Sequence, residues 1–404
     1  MELKKYLKVV LAGDVDAGKS TLIGRFLYES GSLSDGAMEE IERVCQGLSS
    51  EFEFAYLLDS FEEERQGQLT IDTTQSFCRG KRGKQLIFID VPGHQELLKN
   101  MICGSSYAEI AILVVDANKS IQAQTKRHLF VLEFLGVDQI IVAVNKMDAV
   151  DYKEDVFEAI TKEINAFSAI VGIKPGYFIP LSAKNGENMF KRSKKMPWYE
   201  GLPLAERLDS SFKKRAIQDF RFSIQDVYEL NNKKVAVGEI ISGKIKPGQT
   251  VNILPLNKTA RVKKINVFNK KKSKAVARES IGLTLDDMSG LCRGQIICKS
   301  SLPKVTQEVL TRIICVRPLD IKEKMIFKCA TQEAAVCLKQ ITGARDIATL
   351  EPRSTGTATG QNDVIEALLI TDTPIVVEKN KGFNGLGRFV LKVNSEICAV
   401  GIIL

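Results

Sequence analysis

The sequence contains only two histidines, His94 and His128, and none of its nine cysteines belongs to a Cys-x-x-Cys pair. Structural zinc sites need cysteine and histidine ligands at short, regular spacings, so we expect no structural zinc. An odd number of cysteines without regular spacing also differs from the disulfide framework of a secreted protein. We therefore expect reduced, mostly buried thiols, and we interpret His128, within a predicted helix, as structural.

Long hydrophobic runs are missing as well. No apolar stretch approaches the roughly 18 residues that a membrane-spanning helix needs. The first residues carry charges where a signal peptide would have an apolar core. The sequence therefore favours a cytoplasmic protein without a membrane partner. Its 404 residues, 44% hydrophobic and 26% charged, are typical of a globular protein with two or three domains.

The positive charge is modest, with a net charge of +8 at pH 7. Clusters of lysine and arginine occur at residues 81–84, 191–195 and 270–274. Such clusters are most often solvated loops. Each of them is alternatively a surface for RNA or for an acidic partner protein. The net charge permits an anionic partner and does not require one.

Short runs rich in valine, isoleucine and leucine alternate with longer amphipathic segments in the first half of the chain. The runs cover residues 7–12, 85–89, 110–115, 139–144 and 177–181. Continuous apolar runs of this length are typical of central strands that helices bury on both faces. They predict an α/β fold with a doubly wound, mostly parallel sheet. Ligands of such sheets bind in the loops beyond the carboxyl ends of the strands.

The pattern changes after residue 203, where short strands follow one another without helices between them. Predicted strands cover residues 221–227, 234–241, 250–254, 261–267, 310–316, 365–370, 375–377 and 397–403. Residues 333–341 fit a strand or a helix equally well. Regular short strands separated by turns predict small antiparallel β barrels. We expect three domains: a nucleotide-binding domain at residues 1–212, a β barrel at residues 213–302 and a second β barrel at residues 303–404.

A phosphate-binding motif of the form G-x-x-x-x-G-K-S lies between the first predicted strand and an amphipathic segment. The motif comprises Gly13, Asp14, Val15, Asp16, Ala17, Gly18, Lys19, Ser20 and Thr21. Its glycines let backbone N–H groups approach phosphate oxygens, and the following helix adds its positive N-terminal end. We expect Lys19 to reach the β- and γ-phosphates of a nucleotide and Ser20 to ligate Mg²⁺.

Three further segments occur in the order that a GTP-binding protein needs, each after a predicted strand. They are Asp90-Val91-Pro92-Gly93, Asn145-Lys146-Met147-Asp148 and Ser182-Ala183-Lys184. The Asp148 carboxylate can accept hydrogen bonds from N1–H and the exocyclic amine of guanine, donors that adenine does not present there. Leaving it unpaired costs on the order of 1–3 kcal/mol or more, which favours GTP over ATP. We expect Asp90 to hold Mg²⁺ through water, and the last segment to donate an N–H to the guanine oxygen.

Hydrolysis of GTP needs a positioned water and a stabilised transition state. His94 directly follows Gly93, whose N–H we expect at the γ-phosphate, so the imidazole is the candidate that orients the attacking water. Thr70 lies in a segment predicted to close over Mg²⁺ when the γ-phosphate is present. Val15 and Leu69 either form an apolar gate that restrains His94 or take part in ordinary packing.

These motifs and the strand-rich second half resemble the three-domain translation-factor GTPases over nearly the whole chain. Within that superfamily the sequence is most similar to the large, GTP-hydrolysing subunit of sulfate adenylyltransferase. Residues 57–65, 116–128 and 143–152 carry this resemblance. It implies that a separate small subunit, ATP-pyrophosphatase-like, makes adenosine 5′-phosphosulfate from ATP and sulfate, and that GTP hydrolysis by this chain drives the reaction.

Two alternatives stay open. Residues 385–390 and 399–403 resemble the end of elongation factors that carry aminoacyl-tRNA, and the basic clusters suit tRNA or the ribosome. A regulatory switch that binds a protein partner is the other alternative. The sequence also departs from these families, because Ala17 stands where His or Asp is usual and Gly67-Gln68-Leu69 where Gln-Gly-Ile is usual. A glutamine at a left-handed backbone position would be strained.

We predict that His94→Ala preserves GTP affinity and lowers GTP turnover by roughly 100-fold or more, the loss expected for one positioned catalytic group. Nucleotide titrations and single-turnover hydrolysis on one preparation measure the two quantities. Unchanged turnover, both intrinsic and stimulated by a partner, would exclude His94 from the mechanism.

Overall fold

The computed structural model describes most of the chain, with gaps. The described residues are 6–32, 74–90, 109–119, 121–134, 136–137, 139–211, 219–230, 233–267, 270–347, 349–354, 359–380 and 385–404. The chain forms two compact units, Met1–Lys213 and Lys214–Leu404. The first unit contains an α/β sheet and the second contains two β barrels. The three domain limits expected from the sequence stay a prediction.

Six strands form the sheet of the first unit, in the spatial order β2-β3-β1-β4-β5-β6. Their bounds are β1 Leu7–Gly13, β2 Thr74–Arg79, β3 Gln85–Asp90, β4 Ile110–Asp116, β5 Ile140–Asn145 and β6 Tyr177–Pro180. Only the edge strand β2 pairs antiparallel among them, and the other neighbours pair parallel. β4 and β5 are buried along their whole length, which explains their continuous apolar sequences. The predicted doubly wound, mostly parallel sheet is confirmed.

Helices follow the strands of this sheet. The described helices are α1 Lys19–Glu29, α2 Ala123–Phe134, α3 Glu154–Val171, α4 Leu204–Ser210 and a 3₁₀ turn at Met147–Val150. α3 begins with the acidic pair Glu154 and Asp155, which complements the helix dipole, and ends at Gly172 in the left-handed conformation. Its buried apolar residues, Ile160, Ile164 and Phe167, recur three or four positions apart and form one stripe. Among the described residues, no helix is long and apolar enough to span a membrane.

The first barrel is built from short antiparallel strands. Their bounds are β7 Arg221–Leu230, β8 Lys233–Ser242, β9 Lys244–Ile245, β10 Thr250–Leu254, β11 Lys258–Val267, β12 Lys270–Lys271, β13 Ala275–Val276, β14 Ser280–Leu285 and β15 Ile296–Cys298. Six of them form the ring β10-β15-β7-β8-β14-β11, which the pairing of β10 with β11 closes. β12 extends the sheet beyond β11, and β9 pairs with β13 separately. Side chains that point into this ring make one buried apolar cluster.

The second barrel is a closed ring of six strands in the order β16-β19-β18-β17-β20-β21. Their bounds are β16 Lys304–Cys315, β17 Met325–Cys329, β18 Gln332–Asp346, β19 Asp363–Val377, β20 Arg388–Val393 and β21 Glu396–Ile403. The ambiguous residues 333–341 belong to β18, where buried and exposed side chains alternate. The separately predicted strands 365–370 and 375–377 form one strand, β19. Both predicted barrels are confirmed.

Seven cysteines lie in the described part of the chain, and all seven are free thiols. Five of them are buried, Cys292 is exposed and Cys337 is partly exposed. Burial raises the pKa of Cys315 and Cys329 to about 12, because an apolar environment disfavours the thiolate. The expectation of reduced, mostly buried thiols is confirmed for these residues.

One buried amide completes the hydrogen bonding between β18 and β19. Gln332 is 6% exposed. Its Nε2 donates to the Val376 carbonyl over 2.9 Å, and its Oε1 accepts from the Val376 N–H over 2.7 Å. The side chain therefore satisfies a backbone donor and a backbone acceptor that are both buried, as a neighbouring strand would.

We predict that Gln332→Ala lowers the free energy of unfolding by about 2 kcal/mol or more, because two buried polar groups of Val376 lose their partners. Urea unfolding followed by circular dichroism measures the change. The exposed Gln340 on the same strand supplies the control, since Gln340→Ala is expected to change stability by less than about 0.5 kcal/mol. Equal effects of the two substitutions would contradict the role given to the Gln332 amide.

Candidate functional site

The predicted phosphate loop connects the end of β1 to the start of α1. A Cβ atom at Gly13 would lie 2.4 Å from the Val114 carbonyl oxygen, so no larger residue fits there. Gly18 has φ +90°, and a Cβ atom there would lie 2.3 Å from Nδ2 of Asn145. Helix α1 begins at Lys19, directly after these close contacts. The first N–H groups of a helix have no partner within it and suit an anion at this position.

The ammonium group of Lys19 lies inside this loop. Its Nζ donates to the carbonyl oxygens of Gly13 and Asp14 over 2.9 and 2.8 Å. Burial lowers the pKa of the ammonium, and nearby carboxylates partly oppose this shift. These carboxylates belong to Asp90, Asp14 and Asp16. The loop thus holds a cation among backbone groups that a phosphate can approach.

The remaining loop residues differ in exposure. Asp14 Oδ2 accepts a hydrogen bond from Thr125 Oγ1 of α2 over 3.0 Å. Ala17 is buried, and its N–H donates to the Asp14 carbonyl over 3.2 Å. Val15 is 80% exposed, so ordinary packing against the described residues does not explain its apolar side chain. Its predicted gate partner, Leu69, lies outside the described residues.

Asn145 joins the phosphate loop to the segment after β6. Its side chain is buried; Nδ2 donates to the Ala17 carbonyl and Oδ1 accepts from the Ala183 N–H, both over 2.9 Å. Ser182 is fully buried, and its Oγ accepts the Asn185 N–H over 3.2 Å. The predicted Ser182-Ala183-Lys184 segment and the phosphate loop therefore meet at one amide. The Ala183 N–H is engaged by Asn145 in this structure.

Asp148 lies in the 3₁₀ turn Met147–Val150, three residues after Asn145. Lys146 precedes the turn with φ 62°, a left-handed conformation that reverses the chain beyond β5. Oδ1 of Asp148 is buried and has no hydrogen-bond partner among the described residues. A buried, unpaired carboxylate oxygen is costly and indicates a ligand that donates hydrogen bonds to it. The ring N1–H and the exocyclic amine of guanine fit this requirement.

Asp116 is a site residue that the sequence did not single out. Its Oδ2 accepts from Lys146 Nζ over 2.8 Å, and its Oδ1 accepts from the N–H and the side-chain amide of Asn118. Burial by itself would raise the pKa of Asp116, but these hydrogen bonds and the Lys146 charge outweigh it, so the pKa is lowered. The ion pair fixes the Lys146 side chain along the end of β4. The sequence did contain a signal for this residue, because Asp116 is a carboxylate at the end of β4. That strand pairs with β5, which ends at Asn145.

The residues predicted for hydrolysis are only partly described. Thr70, Gly93 and His94 lie outside the described residues, as do Gly67 and Gln68. Asp90 ends β3, and its charge acts on Lys19. A serine hydroxyl and a carboxylate are oxygen ligands of the kind that Mg²⁺ prefers, so Ser20 and Asp90 fit that ion. The roles of all these residues stay predictions.

His128 is buried within α2, and its Nε2 lies 3.2 Å from Nε2 of Gln124 on the same helix. This placement agrees with the structural role expected for it.

Three family models match the chain in succession. They are the elongation factor Tu GTP binding domain at residues 4–214, elongation factor Tu domain 2 at residues 233–298, and the GTP-eEF1A C-terminal domain-like family at residues 309–404. The chain belongs to the elongation factor Tu-type GTPase family. Its first unit therefore contains a GTPase domain, and the family implies that this domain binds GTP.

Curated relatives align over the whole length. Sulfate adenylyltransferase subunit 1 of Sulfurovum sp. is 32% identical over 100% of this chain and 88% of its own. The protein of the same name from Aliarcobacter butzleri is 34% identical, with the same coverage. Elongation factor 1-alpha of Pyrobaculum aerophilum is 35% identical over 99% of this chain and 95% of its own. A crystal structure of Sup35 with GDP is 23% identical, with a TM-score of 0.45, and covers 100% of this chain and 96% of that chain.

We predict that Asp148→Asn lowers GTP affinity by at least about 100-fold, because an amide cannot accept two hydrogen bonds from guanine as the carboxylate can. The same variant is expected to gain affinity for xanthosine triphosphate, whose ring carbonyl accepts from the amide. Competition titrations with the two nucleotides measure both changes. The control is Asp151→Asn, a matched change at a side chain that is 85% exposed. Retained preference for GTP in Asp148→Asn would contradict the assignment of this carboxylate.

Proposed function

We propose that this chain is the GTP-hydrolysing subunit of a sulfate adenylyltransferase and acts in the cytoplasm. Relatives named sulfate adenylyltransferase subunit 1 align with all of the chain at 32–34% identity, and this observation carries the proposal. Two of the three segments that carried the sequence resemblance, 116–128 and 143–152, begin in the last residues of β4 and β5, where Asp116, Asn145 and Lys146 meet. The third, residues 57–65, lies outside the described residues.

The proposed GTP site has two ends. At the phosphate end we assign the loop from Gly13 to Thr21, with Lys19 in contact with the β- and γ-phosphates. At the base end Asp148 accepts the guanine donors, with Asn145 and Lys146 beside it and Ser182-Ala183-Lys184 along the guanine oxygen. Mg²⁺ would be held by Ser20, Thr70 and Asp90. The buried, unpaired oxygen of Asp148 and the close approach at Gly13 and Gly18 support this assignment.

In the proposed reaction His94 orients a water molecule toward the γ-phosphorus. A bond forms from the water oxygen to phosphorus while the bond to the β–γ bridging oxygen breaks, which yields GDP and phosphate. The Gly93 N–H holds the γ-phosphate, and Lys19 stabilises charge that develops on the phosphate oxygens. When bound, Mg²⁺ neutralises part of the same charge.

The proposed partner is a small, ATP-pyrophosphatase-like subunit that transfers the adenylyl group of ATP to sulfate. That reaction is unfavourable by itself, so the GTPase must change the state of the partner. Coupling requires that the partner bind the GTP form and the GDP form with different affinity. The segment around Thr70 and the segment from residue 93 to residue 104 are the proposed switch elements.

An elongation-factor-like function is the second candidate. The elongation factor 1-alpha relatives are 32–35% identical, and the C-terminal family model at residues 309–404 is named after that factor. In this alternative the chain carries aminoacyl-tRNA to the ribosome or acts as a GTP-dependent switch. The two candidates share the GTP site and differ in the partner.

We predict that the chain, loaded with a non-hydrolysable GTP analogue in a native-host extract, recovers an ATP-pyrophosphatase-like subunit. After the analogue is exchanged for GTP, the recovered complex is expected to release more pyrophosphate from ATP and sulfate than the same complex with GDP. Mass spectrometry of the captured proteins and a pyrophosphate assay measure these two outcomes.

The control for this capture is Lys19→Ala, which we expect to lose GTP binding and therefore GTP-dependent capture. Recovery of aminoacyl-tRNA or ribosomes without such a subunit would contradict the sulfate-activation proposal and favour the elongation-factor candidate. Unchanged GTP affinity of Lys19→Ala would contradict the phosphate-loop assignment itself.

A further inference from the structure

The positive charge of the chain is concentrated in the first β barrel. Residues 219–303 contain 16 lysines and arginines and 7 aspartates and glutamates, a net charge of +9, whereas the entire chain carries +8. The other residues together are therefore close to neutral. Within the barrel, residues 258–278 hold nine lysines and arginines and no carboxylate. Such an excess creates a local positive field that the remainder of the barrel does not cancel.

The β9–β13 pair brings two parts of this basic sequence together. Lys244 pairs with Val276 and Ile245 pairs with Ala275 in antiparallel register. Continuation of this register places Lys246 opposite Lys274. The pair is therefore bordered by lysines from both of its strands.

Strand β11 lies beside this pair. The Gly248 N–H donates to the Val262 carbonyl over 2.7 Å, so the turn after Lys246 lies next to Lys263 on β11. The Lys272 N–H donates to the Ile265 carbonyl over 2.9 Å, which brings β12 to the same side of β11.

These contacts assemble one surface, which we call the basic face. It comprises Lys244, Lys246, Lys263, Lys264, Lys271 and Lys274, all of them exposed. None of the six makes an ion pair with a carboxylate of the described residues, although two neighbouring lysines do. Lys272 pairs with Glu279 over 2.7 Å and Lys258 pairs with Asp287 over 2.6 Å. The charge of Lys263 also acts on the Asp286 carboxylate without forming an ion pair with it. The basic face as a whole keeps an excess of positive charge that a partner can use.

We propose that the basic face binds an acidic surface of the second subunit. This inference rests on the function proposed above and names the surface through which the two subunits meet. Lysine ammonium groups are hydrated point charges that suit a diffuse acidic surface, whereas phosphate recognition in nucleic acids more often uses arginine forks and stacked aromatic rings. Seven of the nine basic residues at 258–278 are lysines, and the two arginines are Arg261 and Arg278. Arg261 is engaged, since its Nε donates to the Gly248 carbonyl over 2.8 Å.

Charges at the rim of an interface act mainly on the rate of association. A complementary acidic surface would be attracted over about one Debye length, roughly 8–10 Å at physiological salt. The basic face is therefore expected to speed the encounter of the subunits at low salt and to lose this effect at high salt.

The test is the triple variant Lys246→Glu, Lys271→Glu and Lys274→Glu, with association to the purified second subunit followed by biolayer interferometry. At low salt we expect its association rate to fall by about 10-fold or more relative to the unmodified chain, within the range of electrostatic steering. At about 1 M salt, where the Debye length is about 3 Å, the two rates are expected to converge.

The matched control is the triple variant Lys322→Glu, Lys324→Glu and Lys379→Glu, which changes the net charge equally on exposed positions of the second barrel. It is expected to alter the association rate by less than about 3-fold. Equal effects of the two triple variants on the association rate would overturn the proposal. A difference in rate between the basic-face variant and the unmodified chain that persists at high salt would also overturn it. In both cases the proposed function stands.

Two further outcomes separate the possibilities. Unchanged subunit association, together with weaker binding of a bulk tRNA probe by the basic-face variant, would assign the surface to RNA and overturn the proposal. Failure of the unmodified chain to recover a second subunit would contradict the proposed function. It would also remove the second subunit as the partner of the basic face.

Discussion

The buried side chain of Asn145 holds together the loops on which the candidate site depends. One end of its amide donates to the Ala17 carbonyl in the phosphate loop, and the other accepts from the Ala183 N–H after β6. A buried amide needs both partners, so the two loops have to approach each other at a fixed distance. The parallel sheet makes this possible because the ends of β1, β5 and β6 lie at one edge. The position of Asp148, three residues further along, follows from the same anchor.

The central strands, and a loop between a strand and a helix at residues 13–19, were predictable from the sequence because their signals are local. Continuous apolar runs predict buried parallel strands, and the spacing of Gly13, Gly18 and Lys19 predicts a phosphate loop. The edge strand β2 was missed because its residues 74–79 do not form such a run. Residues 333–341 stayed ambiguous because only their pairing with β17 and β19 decides for a strand. Local sequence carries no information on such pairings between distant segments.

The site also contains contacts that no local pattern reveals. Two of these contacts join segments far apart in the sequence. They are the ion pair between Asp116 and Lys146 and the hydrogen bond from Thr125 to Asp14. Predicting either contact requires the strand order β1-β4-β5, which composition and spacing do not give. The basic cluster at residues 270–274 was visible in the sequence. Its assembly with the β9 turn into one face depends on the folded barrel.

The two proposed functions share the candidate GTP site, so the partner distinguishes one function from the other. The most direct test is the rate of GTP hydrolysis by the reconstituted complex of both subunits, measured with and without ATP and sulfate. We expect GTP hydrolysis to accelerate when ATP and sulfate are both present. We also expect more pyrophosphate to accumulate with GTP than with GDP in the same reaction. A GTP hydrolysis rate that is independent of ATP and sulfate would contradict the coupling of this GTPase to sulfate activation.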